Sequence, residues 1–366
     1  MFVRNAWYIA AWSDEVVERP LGRRILGEPV VLFRDSAGAI AVLQDRCCHR
    51  GAPLSLGDVV PRGIQCGYHG LVFDSAGQCV LVPGDHKVPP GARVRAYPAV
   101  EQDAFVWVWM GDPEHADRSI LTQYPYHNDS RNWPHQHQTL HLRSGYLLVL
   151  DNLMDLSHLG YVHKGTVGGD ATTHVEAKMR TVRTPNGVRF ERWMLDSVPP
   201  PTYVKAVGFK GKVDRWQEIE FVAPNAVIQW NGAIGAGTGV LRDWKYDSAR
   251  EDCFSMRLFH GITPETENST FYFWSSANGY NQNDPSATTQ LFEEIARTFE
   301  QDKVVLEAQQ QRLLELPDGP LVEIHGDAAR IHARRAIDRL IAKESGAMRY
   351  EHRASEDQTA PLKPGE

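Results

Sequence analysis

Cysteine is scarce in this chain, which has five cysteines among 366 residues. So few cysteines in a long intracellular chain do not make a disulfide framework, and under reducing conditions paired cysteine spacings indicate metal ligands. Three of them lie with two histidines in CCHRGAPLSLGDVVPRGIQCGYHG (47–70), whereas Cys79 and Cys253 are isolated. This clustering predicts a local binding site.

Long apolar runs and long basic runs are also missing. No stretch reaches about 18 consecutive apolar residues, and the start, MFVRNAWYIAAW, lacks the charged segment and apolar core of a secretory signal. The net charge of −7 without a basic run argues against nucleic acid or an anionic membrane as a partner. We therefore expect a cytoplasmic protein that binds a small molecule or another protein.

The length and the apolar content of 42% are sufficient for two domains. Residues 1–118 contain short β-rich runs broken by Gly, Pro and Asp, which predicts an all-β domain. Residues 119–345 are predicted to form a second domain, with a larger antiparallel sheet over 174–275 and a long amphipathic helix from Ser286 to about Leu316. The polar tail 346–366 is predicted to be disordered.

The cysteine-rich stretch contains two boxes, Cys47-x-His49 and Cys66-x-x-His69. Two thiolates and two imidazoles could hold a tetrahedral zinc ion, or a [2Fe-2S] cluster with cysteines on one iron and histidines on the other. Two unrelated pairs in β-turns are a third interpretation. Zinc fingers usually pair like with like, whereas here each box supplies one Cys and one His, which favours two facing loops that each reach both irons.

This arrangement resembles the Rieske motif, and Gly67, Tyr68 and Gly70 around the second box conform to it. The respiratory Rieske proteins are less similar, because they carry an additional disulfide-forming cysteine in each box and a membrane anchor. Cys48 stands where related oxygenases usually have Pro. We interpret Cys48 as a small buried residue and not as a ligand.

A second group of possible ligands lies in DNLMDLSHLGYVH, which contains Asn152, Asp155, His158 and His163. Asp155 and His158 are three residues apart and would share a helical face, whereas His163 would lie roughly 140° around an ideal helix. Both histidines could bind one metal only if the helix loosened, which we expect near Gly160.

A third ligand is predicted at Asp302. It falls on the apolar stripe of the long helix, where a carboxylate is costly unless it is paired or bound to a metal. Two histidines and one carboxylate describe the facial triad of non-haem Fe(II) oxygenases. The stripe consists of Leu291, Ile295, Phe299 and Leu306, and the glutamates predicted to lie off it in solvent are Glu293, Glu294 and Glu300.

Other histidines are weaker candidates. His135, His137 and His141 would share one face of a strand, but without a carboxylate partner we interpret them as surface or interface residues. His260 ends an apolar strand in RLFHGITPETE, where it is either a core histidine or a substrate contact.

With both groups in place, the chain resembles the Rieske non-haem iron oxygenases, specifically the vanillate O-demethylase and dicamba monooxygenase group. The similarity runs over nearly the whole chain, through FVRNAWYIAAW, CCHRGAPLS, CGYHGLVFD, DNLMDLSHLGYVH, ITPETE and EQDKVVLEAQ. It implies an α+β fold with an N-terminal all-β Rieske [2Fe-2S] domain and a C-terminal helix-grip catalytic domain, an antiparallel sheet covered by a long helix.

The resemblance also implies a role for each site residue. Asp155 would be a catalytic carboxylate that links His158 to His69 of a neighbouring subunit, and Asn152 a neighbour of the iron. The cluster ligands would be Cys47, His49, Cys66 and His69; the mononuclear Fe(II) ligands His158, His163 and Asp302; and the substrate-binding residues His260 with Gln229 or Asn231.

The implied function is the terminal oxygenase of a multicomponent monooxygenase. We expect O-demethylation of a vanillate-like aromatic acid, with O2, release of formaldehyde, an NADH-dependent flavin/[2Fe-2S] reductase and a homotrimer. One alternative is hydroxylation of a methyl or ring C–H bond of another aromatic acid or sulfonate. Two others are a non-catalytic Rieske electron-transfer protein and a zinc-stabilised binding module.

Overall fold

The structure is a computed structural model that describes residues 1–84, 87–237 and 253–346. The tail for which disorder is predicted lies outside the described residues, except for Gly346. No helix in the described part of the chain combines the length and the apolar character needed to cross a membrane.

The N-terminal part consists of strands and short turns. Its strands form a three-stranded sheet in the order β1-β11-β10 and two four-stranded sheets, β2-β3-β4-β9 and β5-β6-β7-β8. In the last of these sheets, β5 and β6 lie between the two Cys/His boxes in the sequence, and β7 and β8 follow the second box. The strands are β1 (Trp7–Trp12), β2 (Leu21–Ile25), β3 (Glu28–Arg34), β4 (Ile40–Gln44), β5 (Asp58–Val60), β6 (Gly63–Gln65), β7 (Val72–Phe73), β8 (Cys79–Leu81), β9 (Ala96–Tyr97), β10 (Ala99–Gln102) and β11 (Phe105–Trp109).

The C-terminal part is built on one antiparallel sheet. Its order is β12-β18-β17-β16-β15-β14-β13, so the first strand pairs with the last. HQHQTLHL, outside the predicted 174–275, forms the edge strand β12. The elements are β12 (His135–Leu142), α1 (Tyr146–Met154), α2 (Leu159–Val162), α3 (Ala171–Val175), β13 (Lys178–Thr184), β14 (Gly187–Ser197), α4 (Pro201–Val207), β15 (Val213–Val222), β16 (Ala226–Gly235), β17 (Phe254–Thr266), β18 (Ser269–Asn278), α5 (Pro285–Glu315) and α6 (Ala328–Glu344).

Alternation along the strands gives this sheet two different buried faces. On β17, Phe259 packs into an aromatic cluster with Trp12, Trp107 and other residues of β1 and β11. Leu258 on the same strand packs on the opposite side, in the core that includes Leu291 and Ile295 of α5. The N-terminal part therefore covers one face of the sheet, and the long helix covers the other. This confirms the predicted fold class.

The long helix begins one residue before the predicted position and ends one residue earlier than expected. Asp302 is 7% exposed, which agrees with its place on the buried stripe. The expectation for Glu294 is wrong: it is buried, because Lys205 Nζ lies 2.7 Å from its Oε1 and Thr202 also bonds to it. Both partners belong to α4.

Candidate functional site

Two loops of equivalent geometry carry the first group of ligand candidates. In one, the amide of Gly51 donates to the carbonyl of Cys47; in the other, Gly70 donates to Cys66, both at 2.9 Å. Both glycines have φ of +74°, a left-handed conformation that side chains other than glycine rarely adopt. The two boxes therefore form a pair of matching tight turns, as facing loops require.

The side chains of these loops differ in burial. Cys47 and Cys66 are buried, whereas His49 and His69 are exposed, with their ring centroids 4.7 Å apart. Burial raises the pKa of the Cys47 thiol to about 11. Two inner thiols and two outer imidazoles have the chemistry that a Rieske cluster needs. Cys48 is exposed, so its interpretation as a buried residue is wrong.

The second group depends on a break in the helix. Helix α1 ends at Met154, and Asp155 is extended, with φ −130° and ψ 104°. The Asp155 carboxylate accepts hydrogen bonds from Ser157 N at 2.9 Å and Ser157 Oγ at 3.0 Å, which caps a single 3₁₀ turn before α2. We expected the helix to loosen near Gly160, but the break lies at Asp155. Gly160 is inside α2, where an added Cβ would come within 2.4 Å of Ala171.

This break brings the three predicted iron ligands together. Asp302 Oδ1 lies 3.0 Å from His163 Nε2 and 3.5 Å from His158 Nε2. All three ligand atoms lie within 4.8 Å of one another. His158 is partly exposed, whereas His163 and Asp302 are buried. Two imidazole nitrogens and one carboxylate suit Fe(II) with positions left for other ligands.

The remaining polar atoms of these side chains are held by neighbours. His158 Nδ1 lies 2.7 Å from the carbonyl of Asp155, and His163 Nδ1 lies 2.9 Å from Gln301 Oε1. Each contact fixes which nitrogen faces the centre, as is usual for metal-binding histidines. Asn152 Nδ2 donates to Asp302 Oδ1 at 2.9 Å. Sequence analysis missed Gln301, for which the only signal was its position beside Asp302.

The electrostatics of the two histidines differ. Burial lowers the pKa of His158, and the Asp302 carboxylate only partly opposes this effect. Burial would also lower the pKa of His163, but its hydrogen bonds to Asp302 and Gln301 raise the pKa above the usual value. Both histidines therefore respond to Asp302, and His163 responds more strongly.

A cavity adjoins this centre. Its lining combines the three iron-ligand candidates and several side-chain amides with a set of apolar side chains. It is lined by Asn152, Leu153, Leu156, His158, Leu159, His163, Val167, Tyr203, Gln217, Gln229, Asn231, Met256, Leu258, Ile295, Thr298, Phe299 and Asp302. No lysine or arginine is in contact with the cavity among the described residues.

Gln229 and Asn231 line this cavity, but His260 does not. His260 is fully buried in the middle of β17, where Nδ1 lies 2.6 Å from the hydroxyl of Tyr272 and Nε2 lies 3.1 Å from Gln229 Oε1. Burial lowers its pKa to about 3, so it is neutral. Gln229 in turn donates to Asn231 Oδ1 at 2.9 Å. His260 therefore lies behind the two amides.

The histidines of β12 lie away from this centre, and the expectation that they lack carboxylate partners is wrong for two of the three; His135 bonds instead to the carbonyl of Trp133. His141 Nε2 lies 2.6 Å from Glu265, and His137 Nε2 lies 3.2 Å from Asp14. Both carboxylates come from distant parts of the sequence, so the strand pattern could not indicate them.

Comparison with known families and proteins agrees with this geometry. Residues 6–98 match the Rieske [2Fe-2S] domain family, and residues 142–343 match the vanillate O-demethylase oxygenase C-terminal domain family. The second match covers the helix break, the cavity and most of the C-terminal elements.

Relatives and solved structures match over almost the full length. The toluene-4-sulfonate monooxygenase system iron-sulfur subunit of Comamonas testosteroni is 35% identical, over 94% of this chain and 99% of its own. The vanillate O-demethylase oxygenase subunit of a Pseudomonas species is 35% identical, over 95% of this chain and 97% of its own length. A crystal structure of dicamba monooxygenase bound to 3,6-dichlorosalicylic acid superposes with a TM-score of 0.87. The two sequences are 33% identical, and the match covers 94% of this chain and 99% of the dicamba monooxygenase chain.

Proposed function

The chain belongs to the Rieske oxygenases, as a terminal oxygenase component of the vanillate O-demethylase group, and we propose that it demethylates a methoxylated aromatic acid such as vanillate. The observation that carries the proposal is the convergence of His158, His163 and Asp302 on a cavity whose other lining combines apolar side chains with a few amides. An apolar wall suits an aromatic ring, and the amides of Gln229 and Asn231 suit its polar substituents.

We propose that two metal groups are held by this chain. Cys47, Cys66, His49 and His69 would bind the [2Fe-2S] cluster. His158 Nε2, His163 Nε2 and Asp302 would bind one Fe(II), a proposal supported by their spacing and by the donors that fix their other atoms. A dicamba monooxygenase of similar fold has been crystallised with non-haem iron. When bound, the two groups supply electron storage and O2 activation.

The chain's own residues prepare the site for this chemistry. The Asp155 carbonyl and Gln301 orient the two imidazoles, and Asn152 fixes Asp302 Oδ1. The apolar wall excludes water from the substrate ring. Hydroxylation of the methoxy carbon gives a hemiacetal, which breaks down to a phenol and formaldehyde; one O2, two electrons and two protons are consumed, and one water is formed.

Electron delivery requires partners. We propose an NADH-dependent reductase with flavin and a [2Fe-2S] cluster, and a homotrimer in which His69 of one subunit meets Asp155 of the next. The exposure of His49, His69 and Tyr68 supports this arrangement, because a surface imidazole is accessible to another subunit. Within the subunit, the Asp155 carboxylate bonds to Ser157, whereas the Asp155 carbonyl bonds to His158.

A second candidate is hydroxylation of a methyl group on an aromatic sulfonate. It is favoured by the identity of 36% and 35% to two proteins named as subunits of toluene-4-sulfonate monooxygenase systems, one of them putative. The same site would attack a different C–H bond, and no formaldehyde would be released.

The test is turnover of the purified protein with a surrogate reductase and NADH. Vanillate and other methoxybenzoates should each give one formaldehyde and one phenol per O2, and Asp302→Ala should abolish both products. Toluene-4-sulfonate converted to its benzylic alcohol, with no formaldehyde from any methoxybenzoate, would favour the second candidate. NADH oxidation with no product from any aromatic acid would contradict both.

A further inference from the structure

Two arginines are buried behind the cavity wall without a carboxylate partner. Arg192 on β14 is 1% exposed and Arg215 on β15 is 0% exposed, and neither forms an ion pair with any described residue. Burying a guanidinium without a counter-ion is costly. The cost is only partly offset here, because the Nε atoms of both arginines have no hydrogen-bond partner among the described residues.

Carbonyl groups of the ligand-bearing segment receive most of their hydrogen bonds. Arg192 donates to the carbonyls of Leu156 at 2.9 Å and His174 at 3.0 Å, and Arg215 donates to Val167 at 3.1 Å. These carbonyls are dipoles and carry no full negative charge; the Asp155 carboxylate acts on Arg192 without forming an ion pair with it. Burial, together with the nearby charge of Arg215, lowers the pKa of Arg192 to about 10, and the Asp155 carboxylate partly opposes this effect, so Arg192 stays charged at neutral pH.

Besides the backbone carbonyls of Leu156 and Val167, which also line the cavity, each arginine contacts one side chain of the cavity wall. Arg192 Nη1 lies 3.4 Å from Gln217 Oε1, and the Arg215 guanidinium lies 5.1 Å from the ring centre of Tyr203. Gln217 and Tyr203 both line the cavity. Because arginine has no acceptor, the Gln217 atom that faces it must be the oxygen. The Gln217 NH2 group is then the end available to a ligand.

A second NH2 group lies directly across the strands. Gln217 and Asn231 are paired residues in the β15–β16 register. Asn231 is 0% exposed, its Oδ1 accepts from Gln229, and its Nδ2 has no hydrogen-bond partner among the described residues. Both amides thus have their oxygens engaged and their nitrogens available. Two adjacent NH2 donors close to positive charge form stronger hydrogen bonds with an anionic oxygen group than with a neutral one. A ligand with a neutral amide in place of the anion would therefore bind less tightly.

We propose that Gln217, oriented and polarised by Arg192, binds the negatively charged substituent of the substrate, a carboxylate or a sulfonate. Arg192 and Arg215 do not line the cavity; they are positioning residues that supply the charge which makes the cavity select anions. This inference rests on the proposed function, because it concerns the substrate of the same site.

The experiment measures binding without turnover. Iron-loaded, reductase-free protein is titrated under anaerobic conditions by calorimetry with two matched pairs: vanillate and its primary amide, and toluene-4-sulfonate and its primary sulfonamide. The wild type should bind at least one acid about tenfold more tightly than its neutral partner. Gln217→Leu and Arg192→Met should each lose about tenfold in affinity for that acid and less than about twofold for the neutral ligand.

The control variant is Arg189→Met, on the same strand but paired with Glu220 and not with the cavity wall. It should leave both affinities unchanged. Iron content and circular dichroism are measured for every variant to confirm folding. If Arg192→Met does not fold, the inference is judged on Gln217→Leu alone, because that variant keeps both arginines.

Three results would overturn the inference. Wild-type protein that binds the neutral ligands as tightly as the acids would refute anion selection while leaving the oxygenase function intact. Equal losses for acid and neutral ligand in Gln217→Leu would reduce Gln217 to a packing role. Wild-type protein that binds neither member of either pair would instead refute the proposed substrate class, and the inference with it.

Discussion

At the scale of single residues, His163 depends on a neighbour that is not itself a ligand candidate. Gln301 Oε1 accepts from His163 Nδ1 and so keeps Nε2 directed at Asp302. We expect Gln301→Leu to weaken iron binding by about 10- to 100-fold while the cluster is retained. Iron affinity, measured by competition with a chelator, checks this. Gln309→Leu, on the exposed side of the same helix, is the control, and equal iron affinity in both variants would contradict the prediction.

His127 is a second residue whose environment gives a measurable effect. It lies between the two parts of the chain, with Nδ1 2.8 Å from the carbonyl of Asp103 and Nε2 2.8 Å from Ser275 Oγ. Burial lowers its pKa to about 3. The unfolded chain, with a histidine pKa of about 6.5, therefore takes up this proton first, and stability is lost as the pH falls below about 6.5.

We expect His127→Gln to make the pH dependence shallower below pH ~6.5, by up to about 1.4 kcal/mol per pH unit. Urea unfolding midpoints of wild type and variant are measured between pH ~7.5 and ~4.5. The stability advantage of the wild type over the variant should become smaller towards low pH. The exposed His115→Gln serves for comparison. Parallel curves for wild type and His127→Gln would show that His127 is not the group that titrates.

Single residues also show where sequence reasoning succeeds. Asp302 could be predicted as buried because its own helix supplied the pattern. Glu294, on the same helix, could not, because the Lys205 and Thr202 that bury it belong to α4, about 90 residues earlier, and nothing in the helical pattern marks them. Gln217 and Arg192 were missed for the same reason: cross-strand neighbours become visible only when the register is known.

At the scale of elements, the existence of the strands and of the long helix was predictable from periodicity, but the helix break was not. Gly160 is the more obvious breaking residue by its backbone freedom. The break occurs instead at Asp155, because its carboxylate caps the next turn, and Gly160 is needed inside α2 for close contact with Ala171. The choice between these two positions depends on tertiary packing.

The contact between strands of the two parts gives a test at this scale. Thr263 of β17 is 1% exposed, and its hydroxyl donates to the carbonyl of Ile9 in β1 at 2.8 Å. We expect Thr263→Val, which keeps the shape but removes the donor, to lower the free energy of unfolding by about 1–2 kcal/mol. Urea unfolding measures the change. The same substitution at Thr181 on the edge strand β13 should change it by less than about 0.5 kcal/mol, and similar losses at both positions would contradict the argument.

At the scale of the whole molecule, the family and the fold were predictable from ordered motifs spread along the chain, since two ligand groups in the right order restrict the fold strongly. The domain boundary at 118/119 stays a prediction, as do the substrate and the assembly. Substrate and assembly depend on surfaces and on a small number of cavity contacts, which sequence patterns describe poorly.

The proposed trimer makes a prediction about mixed assemblies. Cys66→Ala removes a cluster ligand and Asp302→Ala an iron ligand, so neither variant alone should turn over substrate. If electrons pass from one subunit to the next, equal co-expression of the two should restore about one quarter of wild-type activity, the fraction of junctions with an intact cluster facing an intact iron site. Complete absence of activity in the purified mixed trimer would place the electron route within one subunit.

The pairing of β12 with β18 has a consequence for synthesis. The first and the last strand of this sheet in sequence are neighbours at one edge, and every other strand of the sheet emerges from the ribosome between them. His158 and His163 also emerge long before Asp302. The N-terminal sheets can form while the chain is still growing, but β12 must wait for β18, and the iron centre must wait for α5. We therefore expect slow folding of the C-terminal part, with unpaired strand edges exposed in the meantime, and iron loading only after translation has passed Asp302.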